Sequence, residues 1–129
     1  MMVARVVNRD VPTAHPEDDV LAATRRLLEC RGAFLPVVVE EGRGRRVVGL
    51  LRHRDAFAVT YGRADVPTAV PVAAVMSPAV CTCRASDSLG KAVRLLRRSG
   101  MDALPVLDGD GYLVGLLSFT DLVREAAGR

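Results

Sequence analysis

The sequence predicts an α+β fold in which two β-α-β-β-α units pack around a shared core. The chain has 129 residues, a length that suits one domain better than two independent ones. Hydrophobic residues make up 50 % of the chain and charged residues 26 %, a balance that supports a packed core and argues against disorder. The strongest observation is that one half of the sequence repeats the other.

The repeat appears when the chain is compared with itself at the offset that takes Leu35 to Leu104. The matches keep their order along the whole length, with one short insertion in the first copy. An ordered set of this kind predicts a structural repeat rather than a coincidence. The clearest pairs are Asp18 with Asp87, Leu27 with Leu96, Leu35-Pro36-Val37 with Leu104-Pro105-Val106, Gly49-Leu50-Leu51 with Gly115-Leu116-Leu117, and Asp55 with Asp121.

Each copy opens with a short extended piece, at Val11–Thr13 and at Val80–Cys83, and continues with an amphipathic helix. Acidic and hydroxyl residues precede both helices, where the helix dipole favours them. The apolar positions follow the spacing of one buried helix face. They are Val20, Ala23, Leu27 and Leu28 in the first copy and Leu89, Ala92, Val93 and Leu96 in the second.

Two β-rich runs around a turn follow in each copy and predict a hairpin. The insertion falls in the first of these turns, where extra residues cost little. A short helix then closes each copy, and the Gly- and Pro-containing segment 62–71 predicts a linker between copies 1–61 and 72–129. The β-rich runs are Phe34–Val39 with Val47–Leu51 and Ala103–Leu107 with Tyr112–Leu117, and the closing helices lie at about Arg54–Tyr61 and Thr120–Ala127.

Three motifs of the second copy, Val75-Met76-Ser77-Pro78, Gly100–Val106 and Gly115–Leu122, resemble the CBS domain, which is named after cystathionine beta-synthase. With the first copy, nearly the whole chain resembles a tandem CBS pair, or Bateman module, of the stand-alone kind. The resemblance implies two repeats packed with pseudo-two-fold symmetry into one disc, often as a homodimer. It also implies that AMP, ADP, ATP or S-adenosylmethionine binds in clefts between the repeats, without a required cofactor, and regulates an unknown partner protein.

In this family the aspartate that ends the G-h-h-[ST]-x-x-D motif binds the ribose hydroxyls, and Asp121 matches it, with Leu116, Ser118 and Thr120 in the same motif. A carboxylate suits a cis-diol because it can accept two hydrogen bonds. Ser118 and Asp121 could equally be the capping box of the last helix. Both roles can hold together, since a helix start also favours phosphate. The resemblance implies that the other repeat completes this cleft with Val11, Pro12, Ala33, Phe34 and Pro36.

Phe34 has two interpretations, a surface on which a purine stacks or a plain core residue. The second cleft would combine Asp55 with Val80, Cys81, Asp102, Ala103 and Pro105. Arg52-His53-Arg54 replaces the hydroxyl-bearing segment there, which argues against a nucleoside in this cleft. Arg52 and Arg54 could clamp a polyphosphate. The plainer alternative is that both are solvated and that one of them pairs with Asp55.

Other function classes find little support in the sequence. The net charge is +3 and the arginines are scattered, so nucleic-acid binding is not expected, although the turn Arg43–Arg46 leaves it as an alternative. No P-loop, nucleophile elbow or paired carboxylates are present, so we expect no enzyme. A ligand-free scaffold or dimerisation module is the main alternative to a ligand sensor.

The cysteines Cys30, Cys81 and Cys83 are odd in number and lack the spacing of a metal site or a disulfide framework. We therefore expect reduced thiols and no metal. No apolar run resembles a secretory leader or approaches the roughly 20 residues of a membrane span. A cytoplasmic protein is the resulting expectation.

Overall fold

The structure is a computed structural model that describes residues 1–30, 32–61, 69–79 and 81–128, with the backbone alone at positions 60 and 61. Val80 and most of the linker, residues 62–68, lie outside the described residues. The described chain repeats a helix–hairpin–helix succession, which confirms the mixed α/β class and the duplication. Its elements are α1 (Val20–Cys30), β1 (Phe34–Glu41), β2 (Gly44–Arg52), α2 (His53–Tyr61), β3 (Cys83–Arg84), α3 (Leu89–Ser99), β4 (Ala103–Leu107), β5 (Leu113–Ser118) and α4 (Phe119–Ala127).

The chain divides into two compact units whose boundaries differ from those of the two repeats. The α1 unit is Pro12–Ala79, and the α3 unit joins Met1–Val11 to Val80–Arg129. Each unit therefore holds the helices and hairpin of one repeat together with the segment that opens the other repeat. We call these the leading segments: residues 1–11 for the first repeat and residues 72–79 for the second. The two leading segments have the same form. Each makes one 3-10 turn whose first residue is a fully buried valine, and these turns are Val3–Arg5 and Val72–Ala74.

In the α1 unit, β1 and β2 pair antiparallel along their whole length. Ala14 adds a parallel bridge to Val37 on one side of the hairpin, and Ser77 adds an antiparallel bridge to Leu50 on the other. Leu50 N–H donates to the Ser77 carbonyl at 2.8 Å, and Ser77 N–H donates back to the Leu50 carbonyl at 2.9 Å. Backbone hydrogen bonds thus fix the leading segment of the second repeat on β2.

The α3 unit has the same arrangement. Its short strand β3 runs parallel to β4, which pairs antiparallel with β5. Asn8 of the leading segment bridges to Leu116 on the far side of β5. The Asn8 and Leu116 N–H groups each donate to the other residue's carbonyl, at 2.9 Å and 3.0 Å. The segment 1–11 is therefore attached through Asn8 to the sheet formed by the second repeat.

Two glycines permit these close approaches. A Cβ atom on Gly115 would lie 2.1 Å from the Asn8 carbonyl oxygen, and one on Gly49 would lie 2.7 Å from Met76 Sδ. At Gly115 a side chain would collide with the backbone of Asn8, so glycine is required where the leading segment crosses β5. At Gly49 the nearest atom belongs to the flexible Met76 side chain, and the Ser77 carbonyl oxygen would lie 3.0 Å from the Cβ atom. Both glycines thus allow the leading segments to pack closely on the hairpins.

Each unit has its own aliphatic core, which agrees with the scarcity of aromatic residues. The sequence prediction is wrong for Leu28, which is 65 % exposed. Leu28 follows Leu27 by one residue and so points about 100° away from the buried stripe of α1. The two cores comprise Ala14, Val20, Ala23, Leu27, Leu35, Val37, Leu51, Val59 and Val72 in the α1 unit, and Val3, Cys83, Ala92, Leu96, Leu104, Val106 and Leu117 in the α3 unit.

Candidate functional site

Each of the four α-helices in the described chain starts beside an aspartate that accepts a backbone hydrogen bond from the residue three positions earlier. The bond satisfies a backbone donor and places negative charge at the positive end of the helix dipole. A structural role therefore accounts for all four aspartates, and a ligand role needs a further argument. The donor and acceptor pairs are His15 and Asp18 (2.9 Å), Arg52 and Asp55 (2.9 Å), Arg84 and Asp87 (2.9 Å), and Ser118 and Asp121 (3.1 Å).

In two of these carboxyl groups, Asp18 and Asp87, the pKa is held below its ordinary value. The His15 N–H is the largest cause that holds the pKa of Asp18 below its ordinary value, and Arg26 adds to it against partial desolvation. The Arg84 N–H does the same for the pKa of Asp87, with help from Lys91.

The four aspartates differ in their further partners. Three of them have a basic side chain close to the carboxylate, which offsets its charge. Among the described residues, Asp121 has no such basic partner. Its negative charge is therefore not offset by a basic side chain of the described chain. The three ion pairs are Asp18 with Arg26 (3.0 Å), Asp55 with Arg52 (3.5 Å) and Asp87 with Lys91 (3.3 Å).

Ser118 and Asp121 form the capping box of α4. Asp121 N–H donates to Ser118 Oγ at 3.1 Å, and the Ser118 hydroxyl donates to Asp121 Oδ2 at 2.8 Å. Ser118 N–H donates to the same oxygen. Within the described part of the chain, Oδ1 of Asp121 accepts no hydrogen bond. The capping interpretation is thus observed, and one carboxylate oxygen is left over.

The rest of the motif lies around this helix start. Thr120 is exposed in the first turn of α4, whereas Leu116 is 7 % exposed on β5. The β4–β5 register places Ala103 opposite Ser118 and Pro105 opposite Leu116. The α3 unit thereby brings residues predicted for the second cleft next to residues predicted for the first.

Asp102, Val11 and Cys81 belong to the same unit. The Asp102 carbonyl accepts a hydrogen bond from Phe119 N–H at 3.3 Å, which links the start of β4 to the start of α4. Val11 and Cys81 are partly buried. Val80, which the sequence also predicts for the second cleft, lies outside the described residues.

The remaining residues predicted for the first cleft lie in the α1 unit. Pro36 is buried opposite Leu50, and Pro12 and Ala33 are partly buried. Phe34 is 3 % exposed, which fits the core interpretation of this side chain better than an open stacking surface. Asp121 and Phe34 thus belong to different compact units.

At the start of α2, both oxygens of Asp55 are in use. Oδ2 accepts Arg52 N–H at 2.9 Å, and Oδ1 accepts the Ser77 hydroxyl at 2.9 Å. Arg52 Nη2 donates to the same hydroxyl at 2.8 Å, and Asp55 is only 9 % exposed. Asp55 therefore pairs with Arg52, while Arg54 is exposed and has no partner among the described residues.

Sequence reasoning missed Ser77. The repeat alignment hints at it, because the first copy lacks a hydroxyl at Arg52, where the second copy has Ser118. Ser77 supplies that hydroxyl from the leading segment of the other repeat. A local pattern cannot show this contact, since Ser77 belongs to the copy that follows Asp55 in the sequence.

The described residues contain no cluster of histidine, cysteine, aspartate and glutamate side chains that could hold a metal ion. None of the helices in the described ranges combines the length and the apolar character needed to cross a membrane.

Comparison with known proteins places this fold in a family. A family model described as the CBS domain matches residues 3–61 and 72–128. The inosine-5'-monophosphate dehydrogenase of Mycobacterium tuberculosis is 33 % identical over 116 residues, which cover 89 % of this chain and 20 % of that enzyme. The chain thus spans about a fifth of the length of this relative.

Two solved structures share the fold over almost their full lengths. The crystal structure of CBSX2 in complex with AMP has a TM-score of 0.80 at 27 % identity and covers 98 % of this chain and 96 % of its own. The CBS domain structure NE2398 has a TM-score of 0.80 at 26 % identity, with 98 % of both chains covered. Because both repeats match the family model and the fold agrees with these structures, the chain belongs to the CBS domain family and carries two CBS domains.

Proposed function

We propose that this chain is a regulatory module that binds an adenosine nucleotide at the start of α4 and thereby modulates a partner protein. The observation that carries the proposal is the state of Asp121. It alone of the four helix-start aspartates lacks a basic partner among the described residues, and its Oδ1 is unused. The AMP complex of CBSX2, a CBS structure of similar sequence and fold, supports AMP as the first ligand to test.

The chemistry of the helix start suits a nucleotide. Oδ2 of Asp121 stays in the capping box, so the carboxylate is already oriented and a ribose diol can donate to Oδ1 without a rearrangement. The exposed Thr120 hydroxyl and the positive end of the α4 dipole suit a phosphate. ADP, ATP and S-adenosylmethionine share the adenosine part, so the ribose contact alone does not choose among them.

Asp55 supports a single site rather than two. Its buried carboxylate already accepts from Arg52 N–H and from Ser77. A ribose bound there would have to displace the Ser77 hydroxyl, and the displaced groups would lose their hydrogen bonds. We therefore assign the nucleotide to Asp121 and a structural role to Asp55.

Thermal shift and calorimetry with AMP, ADP, ATP and S-adenosylmethionine test this function. A true ligand at 100 times its dissociation constant should stabilise the fold by about 2.7 kcal/mol. The Asp121→Asn variant keeps an acceptor for Ser118 N–H but loses the charge, so we expect binding to weaken by about tenfold.

Asp87→Asn is the matched control, because it removes the same charge from another helix start. Tight binding by Asp121→Asn, or equal losses in both variants, would show that the site is wrong.

The alternative function is a ligand-free dimerisation module. It is favoured by two apolar side chains one turn apart on α4, Phe119 (43 % exposed) and Val123 (66 % exposed). If none of the four ligands shifts the melting temperature, while sedimentation shows a dimer that Val123→Glu dissociates, the scaffold replaces the sensor.

A further inference from the structure

Helix α3 carries a group of arginines that neither the fold nor the proposed nucleotide site uses. Arg94, Arg97 and Arg98 are exposed, and none of them has an ion-pair or hydrogen-bond partner among the described residues. They line a surface groove of about 490 Å³. The helix has no acidic residue, and its fourth base, Lys91, is paired with Asp87.

The duplication shows that the fold does not require these arginines. The equivalent positions in α1 hold Arg25, Leu28 and Glu29, although α1 and α3 bury equivalent alanine and leucine residues in the cores of their units. Two of the three positions are therefore free to be apolar or acidic. Because only one of the two copies carries this group of arginines, the group indicates a role other than folding.

Helix electrostatics do not explain the group either. Bases are favoured in the last turn of a helix, which accounts for Arg97 and Arg98. Arg94 lies in the middle of α3, one turn before Arg98, and like charges at this spacing destabilise a helix. The group thus carries a cost that an opposite charge from outside would remove.

We propose that the face formed by Arg94, Arg97 and Arg98, the α3 arginine face, docks an acidic segment of a partner protein. Guanidinium groups bind carboxylates through two parallel hydrogen bonds, so three of them in one groove match a run of aspartate or glutamate side chains.

The face is a poor match for nucleic acid. Three arginines on a chain with a net charge of +3 form a smaller basic patch than nucleic-acid domains usually carry. The helix offers no aromatic side chain on which a base could stack.

Fluorescence anisotropy with a labelled oligoglutamate peptide tests the proposal. The variant Arg94→Gln/Arg97→Gln/Arg98→Gln keeps helix-forming residues, and we expect it to bind the peptide about tenfold more weakly. The matched control is Arg25→Gln/Arg43→Gln/Arg124→Gln, which removes three exposed arginines elsewhere. Both variants lower the net charge from +3 to zero, so their comparison separates position from charge.

Retained peptide affinity in the control supports the α3 arginine face. Equal losses in both variants, or no binding by the wild type, would overturn it. Tighter binding of duplex DNA that is lost in the same α3 variant would show a nucleic-acid surface instead.

Circular dichroism checks that the variants fold. If the triple variant does not fold, the single variant Arg97→Gln is used for the same peptide-binding measurement. AMP affinity should be unchanged in both triple variants, so failure here is distinct from failure of the nucleotide site.

Discussion

Ser77 donates its hydroxyl to Asp55 at 2.9 Å, although the two residues belong to different repeats. In the other unit the equivalent aspartate is Asp121, which accepts a hydrogen bond from the Ser118 hydroxyl of its own repeat. Both carboxylate oxygens of Asp55 thus accept hydrogen bonds, one of them from the leading segment of the second repeat. Within the described chain, Oδ1 of Asp121 accepts none. Two repeats with one sequence pattern thus differ in what they offer a ligand.

Replacing Ser77 by alanine should destabilise the α1 unit. The change leaves Oδ1 of the buried Asp55 carboxylate without its donor, which costs about 1–3 kcal/mol of unfolding free energy. Urea denaturation measures the loss. Ser86→Ala removes an exposed hydroxyl outside this network and should change stability little. Equal stability of both variants would contradict the role assigned to Ser77.

Calorimetry should find a single AMP per chain. The wild-type protein offers Asp121 alone, because both oxygens of Asp55 are occupied. In Ser77→Ala, Oδ1 of Asp55 becomes free, and we expect a second, weaker binding event. Two equal sites in the wild type would mean that Ser77 does not block the first repeat.

Gly115→Ala should destabilise the protein strongly. Its methyl group would lie 2.1 Å from the Asn8 carbonyl oxygen, so the bridge between the leading segment and β5 would have to open. Two lost backbone hydrogen bonds and the overpacking predict a loss of about 2–4 kcal/mol in the unfolding free energy. Denaturant titration gives the value.

Gly90→Ala is the control for that substitution. A Cβ atom there meets only Arg94, at 3.6 Å, in the first turn of α3. Alanine should raise helix stability by about 0.5–1 kcal/mol. A Gly115→Ala variant as stable as Gly90→Ala would show that the leading segment does not need the glycine.

Asp18 and Asp87 make the free energy of unfolding depend on pH. The backbone N–H groups of His15 and Arg84 lower the pKa values of Asp18 and Asp87 in the folded state. Their contribution is present above the ordinary carboxyl pKa of 3.8 and is lost as pH falls through the lower folded values.

Melting curves across this acidic range should therefore show a smaller pH dependence for Asp18→Asn/Asp87→Asn than for the wild type. The same slope in both proteins would contradict the assignment.

Thiol labelling should separate the cysteines. Burial raises the pKa of Cys83 to about 11, with the Asp87 charge adding to it, so this thiol stays protonated at neutral pH. Cys30 and Cys81 are partly exposed. Mass spectrometry after brief iodoacetamide treatment should find label on those two and not on Cys83, and all three should react in urea. Rapid native labelling of Cys83 would disprove its burial.

Much of this fold follows from sequence, because the duplication aligns elements that share local signals. The spacing of Ser118 and Asp121 is enough to indicate a capping box, and the turn between two β-rich runs indicates each hairpin. The exchange of leading segments could not be predicted, since nothing near Ser77 or Asn8 indicates which hairpin it joins. Leu28 shows the second limit, because an apolar residue beside a buried stripe fits the periodic pattern although it faces solvent.

The exchanged segments also set an order of assembly. The α1 unit is one continuous stretch of chain, whereas the bridge from Asn8 to Leu116 closes a loop about four times as long as the one from Leu50 to Ser77. That longer closure costs about 1.2 kcal/mol more in chain entropy. On a ribosome, residues 12–79 can reach their final structure while the strand that Asn8 joins is still unmade. Residues 1–11 thus cannot take up their final position until β5 has been synthesised.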